Sequence, residues 1–526
     1  MSNKDHYLMS LLEEYPKYKE MLFCRGYIIT TKELGYNSGY PFYGKWDKFE
    51  FCNETNKVNL NIYLHNWQQC YSHKEDDISI ALIGHAYNPF DMKYQESEII
   101  KDCIDSYKKS RNAFFEKVSE LTGSHLIMLS SKDEIIVLQD GCGMMPLYYG
   151  KVNEELYLSS HGQLVADICG LSMSNEIQNY TKASFYKIGI TQLCGLNSPF
   201  SELTMLSPNT TLNLNNLLVE RFYPKLALSP ADLGTKSNIE DVLKNSIKLC
   251  TEKWDCSISL TGGVDSKMTL AAANDCYGKL KYFSYISSEA ESKDATAASE
   301  ICSNLGLEHT IYEIPQENSM IRDFNIVASI MDHNQAYIRR KDNQDARKRA
   351  YFANHTNIKM EIRSNVSEVG RAFYYKKLGK KRFRYPLTPR NMSNLSKRNF
   401  FQRDILKFMD NSFMHFIDVT SFGDFPKGFD ESDMFYWENR MPAWGALAIQ
   451  SFDISHETTI IYNNRKLLEM YLRFPLEDRI SDKLQQTIIR DLNPKLFEMN
   501  ISNNNAMKNK KRILLERIFF ELNSLF

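Results

Sequence analysis

The chain has 526 residues, 43% apolar and 25% charged, with 64 Lys and Arg against 65 Asp and Glu for a formal net charge of -1. That length calls for two or three domains, each able to bury a core, and the balanced charge gives no general reason to expect nucleic acid or an anionic membrane as partner. Eleven Cys lie scattered without a Cys-x-x-Cys pair; this argues against a disulfide-stapled scaffold and for reduced, mostly buried thiols in a cytoplasmic protein. The start, Met1-Ser-Asn-Lys-Asp-His, has no signal-peptide apolar run, and no stretch approaches membrane-spanning length.

In chain order, residues 1 to about 22 predict a charged amphipathic helix carrying Leu8, Leu11, Leu12 and Tyr15. Short alternating runs follow, such as Val58-Asn-Leu-Asn-Ile-Tyr-Leu and Ile78-Ser-Ile-Ala-Leu-Ile-Gly, then a helical patch from Glu96 to Leu121. Strands resume at His125-Leu-Ile-Met-Leu and Glu134-Ile-Ile-Val-Leu, turn at Asp140-Gly-Cys-Gly, and continue through Leu147-Tyr-Tyr and Leu156-Tyr-Leu-Ser-Ser. Strands that pair by hairpins, with one or two helices between, predict an α+β layered domain over residues 1–225. Leu226 to Lys236, with Pro230 and Gly234, reads as the linker to a second domain, 236–526.

The second domain opens with a helix, Asn238 to Thr251, and then a string on which the rest is organised. Alternation over Cys256, Ile258 and Leu260 breaks on Thr261-Gly262-Gly263, and a helix begins at Asp265 with Met268, Ala271 and Ala272 on one side. Strand, glycine turn, helix points backbone N–H groups and a helix N-terminus at one anion. The glycines let the backbone approach a phosphate, and Thr261 and Ser266 add hydroxyl donors. Asp265 would repel phosphates unless a cation lay between; a Mg²⁺ held by Asp265 and pyrophosphate oxygens removes that conflict. The bland alternative is a helix cap after a glycine turn.

A strand at Leu280-Lys-Tyr-Phe-Ser-Tyr-Ile-Ser, a helix from Ser292 to Gly306 and a strand at His309-Thr-Ile-Tyr-Glu-Ile follow. This calls for a parallel sheet with helices on both faces and a ligand beyond the carboxyl ends of the strands. Ile358-Lys-Met-Glu-Ile-Arg-Ser-Asn-Val-Ser-Glu-Val-Gly-Arg reads as strand, polar turn and helix. The basic, aromatic-interleaved run Tyr374 to Tyr385 reads as a solvated loop. The remainder reads as helical, closing on an amphipathic, core-packing helix from Lys508.

Thr261-Gly-Gly-Val-Asp-Ser resembles the pyrophosphate loop of ATP pyrophosphatases, Ser-Gly-Gly-x-Asp-Ser, and lacks a Walker Gly-Lys-Ser/Thr ending. Upstream, Ala81-Leu-Ile-Gly-His-Ala-Tyr-Asn and Asp140-Gly-Cys-Gly-Met-Met-Pro-Leu-Tyr-Tyr resemble strings of class II glutamine amidotransferase domains. The two together resemble the asparagine synthetase superfamily, whose relatives include β-lactam synthetases and lasso-peptide cyclases. The resemblance implies an Ntn-hydrolase-like layered domain, then a doubly wound α/β domain of the adenine-nucleotide α-hydrolase (ATP pyrophosphatase) type with a helical C-terminus. It implies ATP and Mg²⁺ as cofactors. Leu260, Thr261, Gly262, Gly263, Asp265 and Ser266 would hold the nucleotide phosphates, and Ser284 and Ile286 would lie toward adenine. Asp294 matches a helix-start Asp, for which a carboxylate favoured by the helix dipole is the alternative. Glu368 takes the place of a metal- and pyrophosphate-contacting Asp, so Asp265 and Glu368 would be the metal ligands. Arg363 and Arg371 flank that turn and could hold phosphate or a substrate carboxylate. Lys483 matches a Lys that faces the acyl-adenylate.

The departures matter too. Position 2 is Ser where the family's glutaminase has Cys, His85 stands for a Glu and Met145 for an Arg; Ser364 and Val366 replace glycines, and Asn365 replaces a Glu thought to act as base. The resemblance therefore implies an N-terminal scaffold without glutaminase activity, as in the β-lactam synthetases. The implied activity is an ATP-dependent, AMP-forming amide-bond synthase that adenylates a small-molecule or peptide carboxylate and transfers it to an amine or ammonia. The rivals are a glutamine-hydrolysing asparagine synthase with a divergent N-terminus, an RNA-modifying enzyme sharing the loop, and a non-catalytic ATP-binding protein. A homodimer stays open.

Overall fold

Apolar alternation across hairpins builds the first half of the protein. The computed structural model describes residues 3–35, 39–53, 58–183, 186, 192–338, 343–379, 387–396, 402–501 and 510–525. Among these the N-terminal strands are β1 (Tyr27–Thr30), β2 (Trp46–Asn53), β3 (Val58–His65), β4 (Cys70–Glu75), β5 (Ile78–Tyr87), β6 (Thr122–Ser130), β7 (Ile135–Gln139), β8 (Tyr148–Val152), β9 (Glu155–Ser159), β10 (Thr204–Met205), β11 (Thr210–Asn213) and β12 (Val219–Arg221). They form two antiparallel sheets, ordered β10-β8-β9-β1-β3-β2 and β12-β11-β7-β6-β5-β4.

Side chains two apart share a face, and the burial follows that rule. Ile29, Ile62 and Leu64 of one sheet meet Ala81, Ile83, Leu126 and Met128 of the other in one dry cluster. The alternate residues Ile80 and Leu82 turn outward against the helices Glu96–Lys109 and Arg111–Ser119. On the opposite side Ile28 and Tyr63 pack under the helices Asn3–Glu14 and Gly162–Cys169. The result is helix, sheet, sheet, helix. Two expected helices end sooner than periodicity suggested. The first stops at Glu14, and Pro16 starts a separate 3-10 turn to Met21. The patch from Glu96 breaks at Ser110, whose hydroxyl caps the next helix by accepting the Ala113 N–H at 3.0 Å.

The second sheet is parallel throughout: β13 (Cys256–Ser259), β14 (Leu280–Ile286), β15 (His309–Glu313), β16 (Met360–Arg363) and β17 (Glu457–Ile460), in the order β15-β14-β13-β16-β17. The chain moves outward from β13 to β15, then returns to the other side of β13. That reversal opens a crevice at the carboxyl ends of β13 and β16. β17 lies in the stretch expected to be all helical. Four residues are too few to show a period, and pairing with β16, Met360↔Glu457 to Arg363↔Ile460, makes the strand. Tyr436–Ala446 winds as a π-helix containing Pro442. The closing helix, described from Lys510 to Leu525, is not the core-packing element expected: Leu514, Leu515, Ile518 and Leu522 are exposed, and Phe520 carries its buried contact. All eleven thiols are free, so no disulfide supplements the core.

The two halves are joined by buried polar groups. Arg221 forks onto Glu438 of the π-helix at 2.6 and 2.7 Å, and Asn209 donates to the same carboxylate at 3.0 Å. Arg465 donates to Asn209 Oδ1 at 3.0 Å and to the carbonyls of Gln139 and Asp140 at 2.8 and 2.9 Å. Asn463 Nδ2 reaches Asp140 Oδ1 at 2.9 Å, and that carboxylate also accepts the N–H groups of Met144 and Met145, both at 2.8 Å. The Asp140-Gly-Cys-Gly turn is thus held from both halves. With Glu438 fully buried, removing its partner leaves an uncompensated charge. Arg221→Met should lower the unfolding free energy by about 3–5 kcal/mol, read from urea titration; an unchanged midpoint would show that the halves do not depend on this pair.

Candidate functional site

The crevice begins where β13 stops. Leu260 still donates to the Phe283 carbonyl at 2.8 Å, and the backbone then turns through Thr261, Gly262 and Gly263. Ser266 Oγ accepts the Thr261 N–H at 2.9 Å and donates back to the Thr261 carbonyl at 3.1 Å. Thr261 Oγ1 accepts the Gly263 N–H at 3.1 Å, and Asp294 Oδ1 accepts that of Gly262 at 3.3 Å. The Ser266 hydroxyl, expected to be a donor to an anion, donates within the loop, whereas Thr261 Oγ1 acts there only as an acceptor. Asp294, on the helix Glu289–Leu305, faces the loop. Gly263 precedes the helix Val264–Ala272 and caps it without a side chain, so Asp265 is not a capping residue.

Asp265 sits at the centre of a charge network. Its Oδ1 accepts from Ser367 Oγ at 2.6 Å, and its Oδ2 pairs with the Arg371 guanidinium. Arg371 also forks onto Asp482 at 2.7 and 3.0 Å, where Lys376 joins it. Ser367, Glu368 and Arg371 lie on the 3-10 turn Ser367–Arg371, entered through Val366 at φ 77° and left through Ala372 at φ 50°. A β-branched residue in the left-handed region is strained, and Val366 is one of the positions where the resembled string has glycine. Glu368 lines the crevice beside Asp265. Burial, and then the Asp265 charge, push its carboxyl up to about 7, against the lowering pull of Arg371 and Arg440.

The crevice has a volume of about 310 Å³, and Leu260, Asp265, Ser284, Asp294, Arg363 and Glu368 are among its walls. Ser284 Oγ donates to the Leu260 carbonyl at 2.7 Å and meets His309 Nε2 at 2.9 Å. Arg363 is pinned by Glu361 and Asn365, each at 3.1 Å, with its guanidinium 4.2 Å from the Phe452 ring centre. Ile286 is not among the lining residues; it ends β14 and accepts the Ile314 N–H at 2.8 Å.

Lys483 does not join the others. Its side chain is 69% exposed and its Nζ pairs with Asp478 at 3.3 Å. The cation one turn earlier, Arg479, points inward to Asp433 at 2.6 Å, so no anion site forms between the two. The preceding residue, Asp482, reaches the site instead, along with Ser367 and Lys376, none of which the sequence singled out. In the run from Tyr374 to Tyr385, Tyr374 and Tyr375 are buried on the helix Phe373–Leu378 and are not solvated; residues 380–385 lie outside the described residues.

Residues 238–342 match the family model described as asparagine synthase, a family of ATP-dependent amide-forming synthetases. That segment is what the chain shares with the asparagine synthase family. It covers the loop after β13, Ser284 and Asp294 and ends before Arg363 and Glu368. Asparagine synthetase [glutamine-hydrolyzing] 1 of Bacillus subtilis (strain 168) is 21% identical over 279 residues, 49% of this chain and 42% of that enzyme, so the likeness spans less than half of that relative. Among solved structures, the glutamine phosphoribosylpyrophosphate amidotransferase from B. subtilis complexed with ADP and GMP is 13% identical with a TM-score of 0.22, over 50% of this chain and 60% of that one. A structure titled as the allosteric regulatory enzyme of purine biosynthesis is 12% identical with a TM-score of 0.24, over 61% and 74%. Scores that low carry no argument.

The raised Glu368 carboxyl has a measurable sign. Its usual value is 4.5 and its folded value about 7, so the folded state keeps a proton that the unfolded state releases. The group favours folding below 4.5, and that contribution is lost as pH rises through 7. Glu368→Gln should therefore melt close to wild type at about pH 5 and higher than wild type at about pH 8. Thermal melts at the two pH values check this; equal shifts at both would mean that the carboxyl titrates normally.

Proposed function

We propose that the chain is an ATP-dependent, AMP-forming amide-bond synthase. The nucleotide would lie across the crevice at the strand-order reversal, and a substrate carboxylate would attack the α-phosphorus to give an acyl-adenylate and pyrophosphate. An amine or ammonia would then displace AMP. The observation that carries this reading is the convergence of two loops from different strands. The hydroxyl-tied glycine turn after β13 and the Asp265–Glu368 carboxylate pair face one crevice next to Arg363.

Mg²⁺ fits the donor set. Among the described residues no group of three or more His, Cys, Asp or Glu could hold a metal; Asp265 and Glu368 would be the carboxylates that hold Mg²⁺, with phosphate oxygens and water as its other ligands. The Asp265 charge, which adds to burial in raising Glu368, is what a divalent cation would relieve. When bound, the ion would neutralise phosphate charge. The chain's own part is positioning: Ser266 and Thr261 would hold the loop open to the anion, and Arg371, held in place by Asp482, would turn the guanidinium nitrogen now on Asp265 toward pyrophosphate. Arg363 would orient the substrate carboxylate or the α-phosphate. Lys483 has no part in this scheme.

The helix, sheet, sheet, helix layering of the first half supports the Ntn-hydrolase-like reading for residues 1–225, with residues 236–526 as the synthetase domain. Ser2 lies outside the described residues; without a Cys at that position the first half would act as scaffold, and the purified protein should release no glutamate from glutamine. No helix among the described residues is long and apolar enough to cross a membrane. The carboxylate and amine partners are proposed as small molecules or peptides.

Purified protein supplied with Mg²⁺-ATP, hydroxylamine and a panel of amino-acid and dicarboxylic acids should form a hydroxamate with AMP and pyrophosphate. Asp265→Asn should abolish the reaction while keeping the fold, and Lys483→Met should leave it within about twofold. Formation of ADP and phosphate, or failure of Mg²⁺-ATP to stabilise the protein against heat, would overturn the assignment.

A further inference from the structure

The strand β16 carries two charges where an inner strand of a parallel sheet is normally apolar. It lies between β13 and β17, with Glu361 opposite Ser257 on one side and Thr458 on the other. Glu361 and Arg363 are two apart, so both side chains leave the sheet on the same face. The Glu361 side chain is 1% exposed. Its Oε2 accepts from Arg363 Nη1 at 3.1 Å and meets His456 Nε2 at 2.9 Å. The Ser259 hydroxyl lies close by, and Oε1 has no aligned hydrogen-bond partner among the described residues. Burial pushes this carboxyl up, but Arg363 and His456 together bring it down to about 2. An ionised carboxylate only accepts, so His456, equally buried, carries a proton on Nε2. Its Nδ1 stands 3.0 Å from Ser455 Oγ.

A buried ion pair is weak ground for stability, since apolar residues of the same volume often serve as well or better. What this one does is fix a direction. Arg363 gives one N–H of Nη1 to Glu361 and its Nε–H to Asn365 Oδ1 at 3.1 Å. The Phe452 ring, 4.2 Å from the guanidinium carbon, sets the third restraint, and the Tyr285 hydroxyl lies close to the same group. A guanidinium has five N–H donors in one rigid plane. Those that Glu361 and Asn365 leave unused are available to a ligand in the crevice, whose wall Arg363 forms with Tyr285. Their aim depends on Glu361. The last torsion of a Glu side chain is soft, and the bond from His456 keeps the accepting oxygen from turning.

We propose that Glu361 and His456 are positioning residues that aim Arg363 at the oxyanion of the reacting group, the substrate carboxylate or the α-phosphate. Neither touches the substrate; both act through the guanidinium. The inference rests on the adenylate-forming reading, in which Arg363 meets one of those two groups.

Hydroxamate formation from Mg²⁺-ATP, hydroxylamine and the best acid of the panel tests it, together with the Kd for Mg²⁺-ATP from calorimetry. Glu361→Gln and His456→Phe should each lower kcat by about tenfold to a hundredfold, as a misplaced contact does, with the Kd within about threefold of wild type. His456→Gln keeps a donor near the Nε2 position and should hold kcat within about threefold of wild type. On an Arg363→Met background, Glu361→Gln should cost nothing more, because residues that act as a unit are not additive. If Glu361→Gln fails to fold by circular dichroism, the two His456 variants carry the test. Mg²⁺-ATP affinity that falls in step with kcat, no rescue by His456→Gln, or a further loss on the Arg363→Met background would show a structural role and overturn the proposal. A wild type that forms no hydroxamate removes the adenylate reading and this inference with it, whereas an active wild type whose variants keep its kcat removes the inference alone.

Discussion

Asp265 has to satisfy two demands at once. It lies beside Glu368 in the crevice wall, and like charges so placed disfavour each other's ionised form. The protein meets this in two ways. Arg371 is laid across Asp265, and Glu368 takes up a proton far more readily than an ordinary carboxyl. Arg371 in turn ties Asp265 to Asp482, so the helix after β13, the turn after β16 and the start of the helix Lys483–Leu492 are fixed relative to one another by a single guanidinium. The crevice keeps its shape because this cation sits between acids from different parts of the chain.

The same economy joins the two halves. Asn463, Asn464 and Arg465 are consecutive, and all three reach into the first half: Asn463 to the Gly123 carbonyl at 2.6 Å, Asn464 to the Glu120 carbonyl at 2.6 Å, and Arg465 to the Asp140 carbonyl at 2.9 Å. Burying so many polar groups is tolerable because the donors of all three find partners, with Asn463 Oδ1 left without one among the described residues. The N-terminal sheets are therefore part of the frame that positions β16, β17 and, through β16, the crevice.

The strands β13 to β15 and the glycine turn were legible because each reports itself locally, through period-two alternation, two glycines and a helix that opens on Asp265. β17 was not, since Glu457-Thr-Thr-Ile becomes a strand only by lying against β16. The site divides in the same way. Thr261 to Ser266 and Glu368 could be placed from short strings, although which atoms their hydroxyls would bond could not. Lys483 was misplaced because spacing on a helix says nothing about where the helix starts. Asp482 takes φ 59° and begins the helix; it turns its own carboxylate to Arg371 and leaves its neighbour in solvent. Val366 hid for a different reason: a valine gives no sign in sequence of the φ 77° it adopts.

The reach of Asn463 and Arg465 back to Asp140 also sets an order of events in time. The partners are separated by 323 to 326 residues of chain. At a synthesis rate of about 5–20 residues per second, roughly 15 to 65 seconds pass between the emergence of Asp140 and that of its partners. Through that interval the first half can pair its strands, but the turn at Asp140 must wait, solvated and unfinished. Completion of the N-terminal half thus waits until most of the second half has been made.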